Sequence, residues 1–213
     1  MKLRFDRKKE RHMLLSICYR LAKLPFGSAA GKMRCYLDLN WISWRLAIEQ
    51  AERMYGFGEG SMRRKNLDFL LSRVKPDGRV LDLGCKYGEI SALVAEKAQH
   101  VIAVDHNAAA LEKARAAFPA KNLEFIHADA FVVLEREEVR VNLVILSHIL
   151  EHLEKPSEML TRLKTRATHC YIELPDLDAS YLDHYRQLVG AKLQYTDNDH
   201  IWEFDRDALR EMI

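Results

Sequence analysis

Residues 79–107 read RVLDLGCKYGEISALVAEKAQHVIAVDHN. An apolar run, Val80, Leu81 and Leu83, breaks into a short turn bearing Gly84 and Gly88. A helical pattern follows, then a second apolar run, Val101–Val104, that ends on Asp105. Strand, glycine turn, helix, strand and acid, in that order, predict a nucleotide-sized crevice at the carboxyl edge of a parallel sheet. Gly84 and Gly88 stand where a chain leaving a buried strand must turn sharply and admit a ligand to the backbone.

The same stretch argues about the ligand. Asp105 follows Gly84 by 21 residues, at the tip of the second strand, where a carboxylate can accept from both hydroxyls of a ribose. A dinucleotide fingerprint would read G-x-G-x-x-G, with a pyrophosphate on bare backbone. Here the loop is Asp82-Leu83-Gly84-Cys85-Lys86-Tyr87-Gly88. Asp82 places negative charge where a phosphate would sit, which is unfavourable at short range, and it suits an ammonium group instead. A nucleoside with a cationic amino-acid tail fits better than one with a pyrophosphate.

The reading continues outward with the same alternation. The expected elements are strands at 79–84, 100–105, 123–128, 141–147 and 169–174, with helices at 88–98, 108–118, 131–138 and 156–166. Val/Ile/Leu-rich strands with short polar crossovers fit a doubly wound, mostly parallel α/β sheet with helices on both faces. Residues 1–78 read as an N-terminal helical extension, and 79–213 as the sheet domain. In the extension Trp41, Trp44, Ile48, Ala51 and Tyr55 form an amphipathic stripe, expected to pack as core rather than to stack on a substrate. Gly56 and Gly58 are expected to end that helix. Ser61 is placed to cap the next, with Leu67, Leu70, Leu71 and Val74 turned inward. Residues 176–199, with Tyr181, Tyr185 and Tyr195, read as an insertion over the site edge, where loops of such folds set specificity.

These motifs resemble those of the class I methyltransferases that use S-adenosylmethionine. The resemblance runs along roughly Arg79–Leu163: 79–107 is similar to their first two motifs, and LEFIHADA at 123–130 to the third strand with its closing acid, Asp129. VNLVILSHILEHL at 141–153 is similar to the fourth strand and the following Leu-Glu-His-Leu, THCYIELP at 168–175 to the fifth strand, and HIWEFDRDALREMI at 200–213 to a His-x-x-x-Phe helix opening. The resemblance implies a Rossmann-like sheet of order 3-2-1-4-5 and S-adenosylmethionine as cofactor, leaving as S-adenosylhomocysteine. It implies a cofactor site of Asp82, Gly84, Cys85, Lys86, Gly88, Asp105 (ribose), His106, Asp129 (adenine), Ala130 and Ser147. Three departures stand out. Lys86 replaces a usual glycine and is expected to resist φ > 0, lowering cofactor affinity; Asn142 replaces a usual aspartate; and the usual C-terminal hairpin is absent from the chain, which reads as a fragment.

Methyl transfer from a sulfonium to a hydroxyl needs in-line placement, exclusion of water and a base. His148, His152 and His200 are the candidates for that catalytic role, with His184, Glu151 and Asp176 behind them. His148, Glu151 and His152 stand at i, i+3 and i+4, so an alternative is a metal-assisted O-methyltransferase with His200 as a further ligand. Metal-free relatives carry the same Leu-Glu-His-Leu, so no metal is expected. The His-x-x-x-Phe segment and the tyrosine-bearing insertion resemble those of enzymes acting on sugars or other small metabolites, and the resemblance implies a sugar, glycan or other small-molecule acceptor. A non-catalytic scaffold or cofactor-binding module is the alternative from another class. A nucleic-acid acceptor is disfavoured, because Ser147-His148-Ile149-Leu150 stands where an Asn/Asp-Pro-Pro-aromatic motif would be.

Composition sets the outer bounds. The chain is 48% hydrophobic and 30% charged, an ordinary globular balance that excludes a disordered chain. Leu14–Leu21 is too short to span a membrane and lacks a cleavage pattern. Cys18, Cys35, Cys85 and Cys170 show neither metal nor disulfide spacing and read as reduced thiols of a cytoplasmic protein, Cys85 and Cys170 on or beside buried strands. Residues 1–35 carry ten Lys or Arg against Asp6 and Glu10, a balance of +8, which leaves −6 for the rest of a chain whose total is +2. This arm reads as a solvated helix end that allows weak contact with an anionic surface.

Overall fold

A computed structural model describes residues 13–25, 27–56, 61–136, 140–193 and 199–213. Five parallel strands form the sheet: β1 (Arg79–Leu83), β2 (His100–Asp105), β3 (Leu123–His127), β4 (Val141–Ser147) and β5 (Ala167–Glu173), in the spatial order β3-β2-β1-β4-β5. The expected topology is therefore the one observed. The order reverses between β1 and β4, and crevices of such sheets open at the carboxyl ends of strands beside that switch.

Alternate residues of each strand serve opposite faces. Leu81, Leu83, Val144 and Leu146 pack with α6 (Ala130–Glu135), α7 (Pro156–Leu163) and Phe204, through Val133, Leu134, Met159 and Leu163. Val80, Val101, Ala103 and Ile145 pack with α3 (Met62–Arg73), α4 (Glu89–Ala95) and α5 (Ala108–Ala117), through Leu70, Val94 and Leu111. Burial on both faces explains why the inner strands read as near-continuous apolar runs, interrupted in β1 by Asp82. Asn142 has a structural use: its Oδ1 accepts from the backbone N–H of Arg79 at 2.8 Å, tying the start of β1 to β4.

Several helices start where the sequence supplies a cap. Asn107 accepts from the N–H of Ala110 at 3.1 Å, and Asp205 from that of Ala208 at 2.7 Å at the head of α9 (Arg206–Met212). α7 opens with a proline, whose missing N–H costs nothing at that position. Ser61 flanks α3 without a side-chain capping bond.

The N-terminal helices depart from expectation. α1 (Met13–Ala22) buries none of its residues, and α2 (Ala29–Tyr55) buries only Leu37. Trp44, Ile48 and Tyr55 are exposed, so the stripe on α2 does not pack as core among the described residues. A polar contact ties α2 to α8 (Tyr181–Val189): Arg186 on α8 reaches Leu37 O and Asn40 Oδ1 at 3.0 Å each and Asp183 Oδ1 at 3.0 Å. Gly56 ends α2 as expected, while Gly58 and Tyr195 lie outside the described residues. The region read as an insertion contains α8. β5 forms an edge among the described residues, and its Cys170 is exposed rather than buried. No helix among the described residues is long and apolar enough to cross a membrane.

Candidate functional site

The glycine turn crosses the carboxyl tip of β1. Gly84 and Gly88 both sit at φ +77°, in left-handed backbone that favours glycine, and the N–H groups of Gly84 and Cys85 return to Val104 O at 2.8 and 3.0 Å. Lys86 also lies in the left-handed region, at φ +49°, so its side chain does not prevent the turn as expected. Its N–H donates to Asp105 Oδ2 at 2.7 Å, and that charge-assisted bond offsets the strain. Its Nζ lies 5.7 Å from the centre of the Tyr87 ring.

Three carboxylates gather along this edge. Asp105 is nearly buried at the end of β2; its Oδ1 accepts from Asn107 N at 2.7 Å while Oδ2 takes Lys86 N, which leaves each oxygen a second acceptor position. Asp82 is buried on β1, with Ser91 Oγ donating to its Oδ2 at 2.5 Å. Burial pushes its carboxyl up to about 7, against the Ser91 hydrogen bond and helped by the charge of Asp105. Asp129 caps α6, its Oδ1 accepting from Phe131 N at 2.8 Å. Beside it Ala130 is half-buried. His106 projects into solvent, its Nδ1 3.8 Å from Asp105 Oδ1. Cys85 points instead into the core with Val94 and Leu111; burial raises its thiol far above the ordinary range, so only its backbone is available at the turn.

The second half of the site lies beyond β4. Gly84 faces Ile149: a Cβ built on it would come 3.1 Å from Ile149 Cδ1. His148, just before it in the chain, adopts φ +53°. Its N–H donates to Glu173 O at 2.9 Å, its Nδ1 lies 3.2 Å from Glu151 Oε1, and its Nε2 lies 3.9 Å from Glu173 Oε1. The hydrogen bond with Glu151 raises His148 above the usual imidazole value, against the effect of burial. Glu173, which the sequence places at the end of the fifth strand near where an acceptor would enter, is a hub whose partners the sequence did not reveal: Asn66 Nδ2, Ser147 Oγ and Tyr171 Oη all donate to it, the last two at 3.2 and 2.9 Å. Burial, with Glu173 beside it, pushes the Tyr171 hydroxyl well above its ordinary range.

His152 and His200 come together with Glu151 rather than with His148. They lie in the 3-10 turn Leu150–His152 and in the segment ahead of α9, their rings 4.8 Å apart and crossed at 81°. His184 stands elsewhere, its Nε2 2.9 Å from Asp178 Oδ1, and Asp176 is tied to Arg206 at 2.8 Å.

A five-stranded parallel sheet with a glycine turn and an acid at its switch point defines a nucleoside-binding α/β domain. The methyltransferase-domain family matches residues 56–213, and the chain belongs to it. Among its relatives is the tRNA 5-carboxymethoxyuridine methyltransferase of Escherichia coli (strain K12), 31% identical in a 127-residue alignment that covers 55% of this chain and 49% of that protein. The chain spans about half the length of the curated relatives it matches. Two solved structures share the fold. The SAM dependent methyltransferase from Archaeoglobus fulgidus has TM-score 0.58 at 23% identity, over 76% of this chain and 69% of that one. The magnesium protoporphyrin IX methyltransferase from Synechocystis PCC 6803, solved with bound SAH, has TM-score 0.52 at 18% identity, over 78% and 82%.

Proposed function

We propose that this chain is an S-adenosylmethionine-dependent methyltransferase directed at oxygen. The observation that carries the proposal is the carboxylate set along the carboxyl edge of β1, β2 and β3: Asp82, Asp105 and Asp129 form an edge suited to an ammonium, a ribose and an adenine amino group, and ill-suited to a pyrophosphate. Asp105 fits the ribose because two backbone N–H groups fix its plane while each oxygen retains acceptor capacity. Asp82 fits the ammonium because burial leaves its carboxyl only partly ionised near neutral pH, and a bound cation would favour the charged form. The bound cofactor supplies a methyl group already activated by its sulfonium. The chain's own part is to aim the acceptor and remove its proton. His148 is the residue assigned to the proton: Glu151 holds Nδ1, which leaves Nε2, on the Glu173 side, to take it. Ser147, Tyr171 and Asn66 hold Glu173 in place.

The acceptor assigned here is a hydroxylated small molecule or sugar. A second reading, an RNA nucleotide, is favoured by the tRNA-modifying relative and by the +8 balance of residues 1–35. Calorimetry with S-adenosylhomocysteine tests the cofactor: binding is expected, weakened about 10- to 100-fold by Asp105→Ala through loss of hydrogen bonds to a charged group. Absence of binding, or equal binding by the variant, overturns the reading. Transfer of labelled methyl to a sugar panel and to bulk tRNA, run in parallel, decides between the two acceptors.

A further inference from the structure

The turn after β4 and the segment before α9 meet at one buried carboxylate. Glu151 is 1% exposed. Its Oε1 faces His148, but its Oε2 is buried with no hydrogen-bond partner. A buried carboxylate oxygen without a donor is costly, and folds rarely leave one without a use. Ligand atoms of Glu151, His152 and His200 all lie within 4.8 Å of one another. The two imidazoles are held from behind: His152 Nδ1 lies 3.2 Å from Asp199 O, and His200 Nδ1 lies 3.2 Å from Glu203 Oε1. Metal-ligating histidines characteristically give their second ring N–H to a carbonyl or carboxylate, which fixes the tautomer that ligates through Nε2.

From this we infer that Glu151, His152 and His200 form a binding site for a divalent first-row cation, with zinc the best match to two imidazoles and one carboxylate. The inference is independent of the cofactor reading, and it revises the expectation of no metal. It also sorts the four residues read from the sequence: His148 is bound to Glu151 Oε1 and stands outside the ligand group. Zinc ligation at ~2.0–2.1 Å needs the three atoms roughly 3.3 Å apart, so the site would draw together from the 4.8 Å within which they now stand. The cation would staple residues 199–205 to the turn after β4. That junction already carries two backbone bonds to Glu151 O, from Ile201 N at 2.8 Å and Trp202 N at 3.1 Å. A third polar tie, from Trp202 Nε1 to Leu153 O at 3.0 Å, lies beside it.

The test uses the full chain, stripped with chelator and titrated with zinc, and with cobalt as a spectroscopic probe. One equivalent is expected to bind, to raise the unfolding temperature and to give the visible bands of low-symmetry cobalt. Loss of an outer-shell partner alone weakens such sites about 10- to 100-fold, so Glu151→Gln and His200→Asn are expected to weaken binding at least that much. If either fails to fold, His152→Asn, at a partly exposed side chain, carries the same expectation. No cation binding by the folded wild type, or equal binding by folded variants, overturns the assignment.

Discussion

Gly84 and Gly88 share φ +77° but differ in what a methyl group would meet, and the difference can be measured. At Gly84 a Cβ would first meet the Ile149 side chain, tightly only at its flexible tip, with Cδ1 at 3.1 Å and Cβ and Cγ1 at 3.5 Å. At Gly88 it would fall 2.6 Å from Phe125 Cε1, 2.8 Å from Cζ and 3.2 Å from Ala114 Cβ, in a wall built by β3 and α5. Left-handed backbone costs an L-residue about 1–2 kcal/mol, and both alanine variants share that cost. Overpacking adds about 1–3 kcal/mol, and only Gly88→Ala incurs it in full. Gly84→Ala is therefore expected to lose about 1–2 kcal/mol and Gly88→Ala about 2–5 kcal/mol. Urea unfolding without ligand reads both, since a loss of ~3 kcal/mol moves the midpoint by roughly 1 M or more. Phe125→Leu in the Gly88→Ala background should return part of the loss, giving a coupling of about 0.5–3 kcal/mol. Equal losses at the two glycines, or simple additivity with Phe125→Leu, would refute the claim that β3 and α5 set the position of this turn.

Asp82 carries a pH signature: its folded value of about 7 lies above the ordinary 3.8, so the stability it contributes is complete below about pH 3.8 and is lost as pH rises through about 7. Between pH 5 and 8 the wild type should lose roughly 2–3 kcal/mol relative to Asp82→Asn in parallel urea titrations, and parallel curves would contradict this. Lys86→Gly should leave stability unchanged or raise it by up to about 1 kcal/mol, because it removes left-handed strain yet keeps the backbone bond to Asp105; a clear loss in thermal unfolding would count against it. Arg186→Ala should cost about 1–3 kcal/mol in denaturant unfolding, since it leaves the buried Leu37 carbonyl unpaired while the partly exposed Asp183 and exposed Asn40 turn to water, and no measurable cost would show that this contact holds nothing.

What the sequence made legible follows from range. The sheet was readable because each strand announces itself within a few residues, and the glycine turn because its two glycines lie four positions apart. β5 began two residues earlier than expected: Ala167 and Thr168 carry little apolar signal, yet Ala167 pairs with Val141. The hub at Glu173 was not readable, because its partners Asn66 and Ser147 stand 107 and 26 residues away. The latch at Arg186 reaches back 149 residues, and no local pattern marks it. On α2 the error was one of kind: an amphipathic period predicts a face, and that face stays exposed among the described residues.

Backbone strain gives an argument for the site that owes nothing to motif or relative. Among the described residues, the non-glycine positions with positive φ are Lys86 and His148, and they lie on the loops leaving β1 and β4. Those are the adjacent strands at the switch point, so two residues far apart in sequence bring their strain to one crevice. Lysine is the costlier case, since histidine visits this region more readily. Each is held by an acidic residue: the Lys86 amide by the Asp105 carboxylate, and the His148 amide by the Glu173 carbonyl, with Glu151 on the His148 ring. Strain of this kind persists only where surrounding structure over-determines it, and it concentrates where a ligand is handled. The carboxylate proposed to grip the cofactor's ribose thus also fixes the turn beneath it. The residue that gathers Asn66, Ser147 and Tyr171 likewise fixes the proposed base. At Asp105 one side chain both holds the backbone and faces the ligand, so its substitution should disturb loop geometry and ligand binding together; substitution at Glu173 keeps the main-chain bond to His148 and removes only the ties to Asn66, Ser147 and Tyr171.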